Sequence, residues 1–359
     1  MNEKEKRRQV NDKIVEWIKS RTETRYAGEI SLVLVYGSYV NGTANEKSDV
    51  DCCFIPKTQK GYDMAVTFIL DGVGYDLFPL PWERAEGIAH LKESLLPLVG
   101  DAQILYQDTP EDGERFRQLQ RRLRENLQDG QYRDKAAGER FCRACELYGD
   151  LLKSERTAAV RRLAGEVLML LADAVALHCG EYYHFGLKKQ YEDLRDRLSD
   201  VPETFVTAYD ELLKAADDAE FKTCGGKLLQ EAGAYLGLSL PEYGNCRKEL
   251  TEEARIQPDY RWLAGLYEEI CSTFQKIYIC CRDENVPLAF LSAVCLQREL
   301  DEAAESGGRQ YDLLGAYCSA DLEKLAERAR EIETDFVGLI VSGGGSIRRY
   351  DCVEELAAL

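Results

Sequence analysis

Asp49 and Asp51 are the residues of this chain whose type and spacing point most directly to chemistry. Side chains alternate between the two faces of a strand, so two aspartates separated by one residue project from the same face. Neighbouring carboxylates repel each other unless a cation lies between them, and hard cations such as Mg²⁺ prefer oxygen ligands. The pair therefore predicts a site for divalent metal chemistry.

A glycine–serine turn lies between an apolar run at 32–36 and this aspartate pair. Gly37 allows the backbone to approach a ligand closely, and Ser38 can begin a short helix whose free N–H groups bind a phosphate. Residues 32–54 therefore combine a predicted phosphate-binding turn with a predicted metal-binding pair.

A third acid follows on a predicted β-hairpin. Apolar runs at 64–70 and 73–80 are joined by Asp71 and Gly72, a dipeptide that favours a type I′ turn. Asp76 lies in the second run among apolar residues, where a carboxylate needs a partner. We predict that Asp76 is a third metal ligand beside the aspartate pair; an edge aspartate exposed to water is the alternative.

The periodicity of the apolar residues predicts the elements that position these acids. An amphipathic helix at 4–20 precedes strands at 31–36 and 49–56, and a helix at 82–96 and a strand at 100–107 follow the hairpin. After a linker, the rest of the chain is predicted to be mainly helical, with helices at 114–128, 132–153, 155–179, 187–199, 203–216, 249–256, 258–283, 286–304, 309–316 and 319–335.

The predicted fold class is α/β followed by all-α. We predict a catalytic domain at 1–108 with a small mixed sheet and flanking helices, a helical bundle on the acceptor side at 109–242, and an additional C-terminal helical domain at 243–359. The longest apolar stretch, 167–178, contains Asp173 and predicts a buried helix instead of a membrane span.

Composition narrows the class of partner. The chain has 359 residues and a formal net charge of −18, which disfavours nucleic acid and anionic membranes as partners. Residues 1–12 are charged throughout and no apolar segment follows them, so we expect no signal peptide and a cytoplasmic location. The 13 cysteines are expected to be free thiols in a reducing compartment.

The order of these motifs resembles the polymerase-beta-like nucleotidyltransferase superfamily. Its signature is an apolar strand, a Gly-Ser turn, an acid-x-acid strand and a third acid on a later strand, and Tyr39, Gly42 and Ser48 also match. The resemblance implies a nucleotidyltransferase that binds two Mg²⁺ ions and ATP or another nucleoside triphosphate. An acceptor hydroxyl would attack the α-phosphorus and release pyrophosphate.

The resemblance also implies roles for individual residues. The implied metal ligands are Asp49, Asp51 and Asp76, and the implied nucleotide-binding residues are Gly37, Ser38 and Ser48.

Residues 10–240 resemble kanamycin and related aminoglycoside nucleotidyltransferases in particular. In those enzymes a Glu-x-x-Gly-Lys segment of the helical bundle supplies the general base, and Glu146 has the comparable place here. Asp150 stands where the family has the lysine, so Lys188 is predicted to contact the nucleotide, with Lys153 and Lys189 as alternatives.

Two questions stay open at this stage. Glu83, just after the third acid, is an alternative general base to Glu146. The acceptor is predicted to be a small hydroxylated molecule, such as an aminoglycoside-like antibiotic. The alternatives are a protein or nucleotide acceptor, as in antitoxin-type AMPylation or cyclic-dinucleotide synthesis, and a non-catalytic nucleotide-binding scaffold. We expect a monomer or a homodimer.

Overall fold

The computed structural model describes residues 3–198, 200–240 and 258–358. The predicted helix at 249–256 lies outside these residues. Six strands form one sheet: β1 (Ile30–Tyr36), β2 (Asp51–Pro56), β3 (Val66–Leu70), β4 (Val73–Pro79), β5 (Gln103–Gln107) and β6 (Arg349–Tyr350). Their order is β5–β1–β2–β4–β3–β6, and the sheet is mixed because β2–β4 and β3–β6 are parallel pairs.

Helices surround this sheet and continue beyond it. The described α-helices are α1 (Glu3–Thr24), α2 (Gly37–Asn41), α3 (Trp82–Ala89), α4 (Pro97–Gly100), α5 (Pro110–Gln128), α6 (Gly130–Lys153), α7 (Thr157–His178), α8 (Gln190–Asp196), α9 (Glu203–Lys214), α10 (Asp218–Leu236), α11 (Tyr260–Arg282), α12 (Val286–Glu305) and α13 (Glu323–Ser342). The predicted fold class, a small mixed sheet with flanking helices followed by a helical region, is confirmed.

The two faces of the sheet pack against different helices. Helix α1 covers one face, where Ile14 and Ile18 join the buried cluster that contains Phe54 and Phe68. Helices α3 and α5 cover the other face through a separate cluster. Both faces are buried by apolar side chains at alternating strand positions, and this places the remaining polar side chains at the strand ends.

The hairpin between β3 and β4 forms as the sequence predicts. Leu70 pairs with Val73, and the two turn residues, Asp71 and Gly72, have φ values of 49° and 71°. Positive φ at both positions is the geometry of a type I′ turn. This turn sets the register of β4 and hence the position of Asp76.

Helix α7 lies in the middle of the helical region, and its buried acid, Asp173, is paired. Asp173 accepts hydrogen bonds from Arg140 Nε at 2.9 Å and from Ser94 Oγ at 2.6 Å. The prediction of a buried helix here is confirmed. Within the described residues, no helix is long and apolar enough to cross a membrane.

Several boundaries differ from the sequence prediction, and three of them have a clear local cause or structure. Helix α3 ends at Ala89 instead of continuing to 96, because Leu91 adopts a φ of 57° and Asn126 Nδ2 donates to the Ala89 carbonyl. Helix α5 begins inside the predicted linker, because the side chain of Thr109 caps it. The interval predicted as a helix at 309–316 contains a 3₁₀ turn at Leu314–Ala316.

Helix α10 was not predicted, and its glycines explain why. Gly225, Gly226 and Gly233 lower the helix propensity of this segment. In the structure a side chain at Gly226 would clash with Tyr148, and one at Gly233 would meet Phe141 at 3.1 Å. The glycines therefore allow α10 to pack closely on α6.

The C-terminal residues return to the catalytic sheet. Strand β6 pairs with β3, and α11 packs on β3 and β4, where a Cβ at Gly74 would lie 2.6 Å from Cys271 Sγ. The apolar run 336–341 is part of α13. The division of the chain into three domains stays a prediction, and these contacts show that residues after 258 pack directly on the sheet.

Candidate active site

Two of the predicted acids lie side by side at neighbouring strand ends. Strands β2 and β4 pair in parallel with Cys52 opposite Leu77. Asp51 and Asp76 each come one residue earlier, so their side chains project from the same face of the sheet. Asp49 lies in the loop just before β2, which begins at Asp51 and not at Asp49 as predicted.

Gly37 makes room for the carboxylate of Asp51. Its φ is 66°, and any side chain added there would clash with Asp51 Oδ2. The backbone N–H of Ser38 donates a hydrogen bond to the same carboxylate. The Gly-Ser turn therefore positions a predicted metal ligand, which is a role that the sequence motif alone did not reveal.

The three carboxylates lie in an environment that opposes their ionisation. Burial, with repulsion from Asp51, raises the pKa of Asp49 to about 7. Burial also raises the pKa of Asp76 to about 7, with further contributions from Glu269 and Asp49. The pKa of Asp51 is raised mainly by burial. A cation bound among these groups would reverse this penalty.

Two lysines face the aspartate pair from other parts of the chain. Lys276 of α11 and Lys188, from the segment before α8, both act to lower the pKa of Asp49 and Asp51. Lys188 Nζ donates to Thr273 Oγ1 at 3.0 Å, and Thr273 lies one helical turn before Lys276. The two lysines are therefore neighbours on the same side of the site.

Neither lysine is neutralised directly. Burial and the charge of Lys276 lower the pKa of Lys188. Considering the described residues alone, neither lysine forms an ion pair, and the same holds for Asp49 and Asp51. The two lysines thus act on the two aspartates through their charge without forming ion pairs with them. An anion next to the lysines and a cation next to the acids would satisfy both sets.

The other predicted site residues lie in less specific surroundings. Ser48 Oγ accepts a hydrogen bond from the backbone N–H of Asn45, inside the loop that carries Asp49. Glu146 has a side chain that is 65% exposed and pairs with Arg143 in its own helix, and Glu83 is also exposed. Lys189 also acts on the pKa of Asp51.

The donor chemistry of the aspartates fits a divalent cation. Asp49 and Asp51 provide hard oxygen ligands, and their mutual repulsion would be relieved by a cation. In the part of the chain that the structure describes, no group of three or more His, Cys, Asp or Glu side chains is close enough together to form a complete metal cluster. The assignment of Asp76 as a third metal ligand therefore stays a prediction.

Sequence analysis missed the contribution of α11. Lys276 acts on the pKa of Asp49 and Glu269 on that of Asp76, but both lie more than 190 residues after Asp76. The amphipathic pattern predicted a helix at 258–283, yet no local signal indicated that one of its faces would meet the sheet. The structure adds that Lys276 is half-buried and forms no ion pair with the described residues.

Comparison with known proteins agrees with this geometry. Residues 15–130 match the family model of the nucleotidyltransferase domain. These residues therefore form a nucleotidyltransferase domain, consistent with the polymerase-beta-like superfamily, and the protein is an enzyme of this class, as the sequence resemblance implied. The match implies a nucleoside triphosphate substrate.

Other comparisons are more distant. No curated protein matches the chain. Among the solved structures that match is a nucleotidyltransferase-like protein from Exiguobacterium sibiricum 255-15, whose crystal structure was determined at 1.90 Å resolution. It is 15% identical in sequence, with a TM-score of 0.33, and the match covers 62% of this chain and 78% of that chain.

Proposed function

We propose that this nucleotidyltransferase transfers a nucleoside monophosphate, AMP from ATP, to a hydroxyl group of a small molecule. The observation that carries the proposal is the arrangement of Asp49 and Asp51 opposite Lys188 and Lys276, with no ion pair between them. A triphosphate with its divalent cation has the charges that such an arrangement would bind.

Each set of residues has a role in this reaction. Asp49 and Asp51, with Asp76 beside them, would hold Mg²⁺, which neutralises phosphate charge and aligns the reacting oxygens when bound. Lys188 and Lys276 would bind oxygens of the β- and γ-phosphates. The predicted nucleotide contacts of Gly37, Ser38 and Ser48 belong to the same end of the sheet.

The acceptor side is proposed to lie along α11 and α12. Glu269 of α11 raises the pKa of Asp76, and Glu299 and Glu302 of α12 raise the pKa of Glu269. Glu299 pairs with Arg298 Nη2 at 3.1 Å, while Glu269 and Glu302 form no ion pair within the described residues. Such an excess of carboxylates next to a proposed metal ligand favours a cationic acceptor. This supports aminoglycoside-like molecules, which carry amino groups beside the acceptor hydroxyl, as the first acceptor class to test.

The general base is proposed from three glutamates. Glu146 and Glu83 are the residues expected from the sequence, and Glu269 is the glutamate that acts on Asp76 in the structure. Comparing Glu269→Gln, Glu146→Gln and Glu83→Gln separates them, because the variant that removes the base should lose turnover by about 10²–10⁴-fold with an altered pH profile. Retention of turnover by all three glutamine variants would exclude the glutamates as bases.

The acceptor can be identified with purified protein, ATP and Mg²⁺. The protein would be incubated with aminoglycosides, neutral sugars and a small-molecule fraction of cell extract, and the products analysed by mass spectrometry. Addition of an adenylyl group to a cationic sugar is the expected result. An adenylylated protein or a dinucleotide product would contradict the small-molecule acceptor while leaving nucleotidyl transfer in place.

A further inference from the structure

The loop that carries Asp49 is held by a side chain of the N-terminal helix. Asn11 of α1 is 1% exposed, and its Nδ2 donates to the carbonyl of Ser48 at 3.0 Å and to the carbonyl of Asp49 at 3.2 Å. These two carbonyls lie on either side of the Asp49 Cα atom. Anchoring both of them fixes the backbone dihedral angles of Asp49, and so the direction of its carboxylate.

The orientation of the Asn11 amide is set by a second residue. The hydroxyl of Tyr75 donates to Asn11 Oδ1 at 2.6 Å, which leaves Nδ2 directed at the loop. Tyr75 is 3% exposed and lies on β4 directly before Asp76. The hydrogen bond therefore joins the loop of Asp49 to the strand that carries Asp76.

Arg7 extends this connection to both segments. Its Nε donates to the carbonyl of Glu46 in the loop at 3.1 Å, and its Nη1 donates to the hydroxyl of Tyr75 at 3.3 Å. Its Nη2 pairs with Asp71 Oδ2, in the turn before β4, at 2.8 Å. Arg7 is itself only 5% exposed. Three buried side chains thus tie the loop and the hairpin together on the face opposite the carboxylates.

This arrangement exceeds what helix packing requires. The apolar residues Ile14, Val15 and Ile18 provide the packing of α1 on the sheet, and Asn11 is buried beside them. A polar group buried there costs free energy unless its hydrogen bonds are satisfied. Asn11 satisfies them with the backbone of a loop that has no strand partner of its own.

We propose that Asn11 is a positioning residue for Asp49, and that through Tyr75 it sets the position of Asp49 relative to Asp76. Its role rests on the proposed function, since Asp49 and Asp76 are the proposed metal ligands. Asn11 acts through the backbone, because its amide contacts carbonyls and not the carboxylates.

The proposal can be tested by metal binding as well as by activity. Mn²⁺ would be titrated into the protein with a non-hydrolysable ATP analogue, and bound Mn²⁺ followed by electron paramagnetic resonance. Asn11→Leu removes both donors at similar volume and should weaken Mn²⁺ binding by about 10–100-fold, the range for residues that orient metal ligands. Tyr75→Phe keeps the ring but removes the hydrogen bonds of its hydroxyl with Asn11 and Arg7, and should weaken binding several-fold, because the Asn11 amide keeps its donors but loses the group that orients it.

A matched control lies on the same helix. Thr22 is 0% exposed, and its hydroxyl bonds to the Ile18 carbonyl at 2.8 Å, away from the loop. Thr22→Val should leave Mn²⁺ affinity unchanged. Thermal unfolding of each variant identifies any that fails to fold, and Tyr75→Phe decides the matter if Asn11→Leu does not fold.

Two outcomes separate this inference from the proposed function. Wild-type Mn²⁺ affinity in folded Asn11→Leu and Tyr75→Phe, with loss of binding in Asp49→Asn, would overturn the positioning role alone. Wild-type affinity in Asp49→Asn would instead overturn the metal assignment on which the positioning role rests.

Discussion

Glu268 of α11 and the aspartates Asp49 and Asp51 lie near one another, and they differ in whether a cation of the protein pairs with them. Glu268 is 1% exposed and accepts hydrogen bonds from Arg348 Nη2 at 2.7 Å, from Arg348 Nε at 3.0 Å and from Thr67 Oγ1 at 2.9 Å. Among the described residues, Asp49 and Asp51 have no ion-pair partner, although Lys276 lies on the same helix as Glu268. One group is satisfied within the protein, and the other is not.

The difference separates a structural acid from the acids that we propose to be catalytic. Glu268 and Arg348 fasten the C-terminal residues to strand β3, and nothing more is needed to balance their charge. Burial raises the pKa of both aspartates, and we propose that a bound ligand supplies their balancing charge. Substitution of Asp51 should therefore lower activity, whereas substitution of Glu268 should lower the free energy of unfolding.

The largest effect is expected at Asp51. Asp51→Asn preserves shape but removes a negative charge from the proposed metal site, so the rate of nucleotidyl transfer should fall on the order of 10²–10⁴-fold, several kcal/mol of barrier. Initial rates of pyrophosphate release at saturating ATP measure this loss. Thermal unfolding should show a folded protein, and a variant with wild-type rates would remove Asp51 from the catalytic site.

Substitution of Glu268 is expected to lower the free energy of unfolding by a similar number of kcal/mol. Glu268→Gln leaves the guanidinium of Arg348 without its carboxylate, and breaking a buried pair costs about 3–5 kcal/mol. Because the Arg348 side chain is 41% exposed, we expect the lower end of that range in the free energy of unfolding measured with urea. Turnover per folded molecule should change little. A large loss of turnover at unchanged stability would contradict the structural role.

A smaller effect is expected at Lys276. Lys276→Met removes one of the two lysines that act on the aspartates, and the KM for ATP should rise about 10–100-fold, the equivalent of about 1.4–2.8 kcal/mol. Lys324→Met is a suitable control, because Lys324 is 68% exposed and pairs with Asp321. Equal kinetics in the two variants would place the triphosphate elsewhere.

The smallest expected effect is the dependence of the free energy of unfolding on pH. The pKa of Asp49 is raised from 3.8 to about 7, so the folded chain binds more protons than the unfolded chain between these values. The free energy of unfolding of metal-free protein should therefore fall as pH rises through this window, by on the order of 1 kcal/mol for a partly exposed carboxylate.

Urea unfolding at pH 5 and pH 8 in the presence of a chelator checks this sign. Asp49→Asn should be less sensitive to pH than the wild type and relatively more stable at pH 8. A wild-type protein that gains stability from pH 5 to pH 8 relative to Asp49→Asn would contradict the raised pKa.

Local patterns were sufficient for strands β1 to β5 of the sheet. The Asp71-Gly72 turn, the apolar runs of β1 and β4 and the Gly-Ser break each depend on residues close in sequence, and each forms as predicted. Strand β6 was not predicted, because it pairs with β3 from the far end of the chain. Helix α10 was missed because glycines that reduce helix propensity are required there by packing on α6.

The sequence predicted only some of the residues of the candidate site. Spacing revealed the acids, because strand geometry fixes where alternate side chains point. Lys276 and Asn11 could not be found in this way, since each reaches the site through contacts between segments that are far apart in the chain. Their partners are backbone carbonyls or distant charges, which leave no motif.

The most direct test of the account is a transfer assay with doubly labelled ATP. Wild-type protein with Mg²⁺ and an accepted substrate would receive ATP labelled at the α-phosphorus and at the γ-phosphorus. The account predicts that the α label appears on the acceptor and the γ label in pyrophosphate, and that Asp51→Asn abolishes both. Transfer of the γ label to the acceptor would show a kinase reaction and contradict the account.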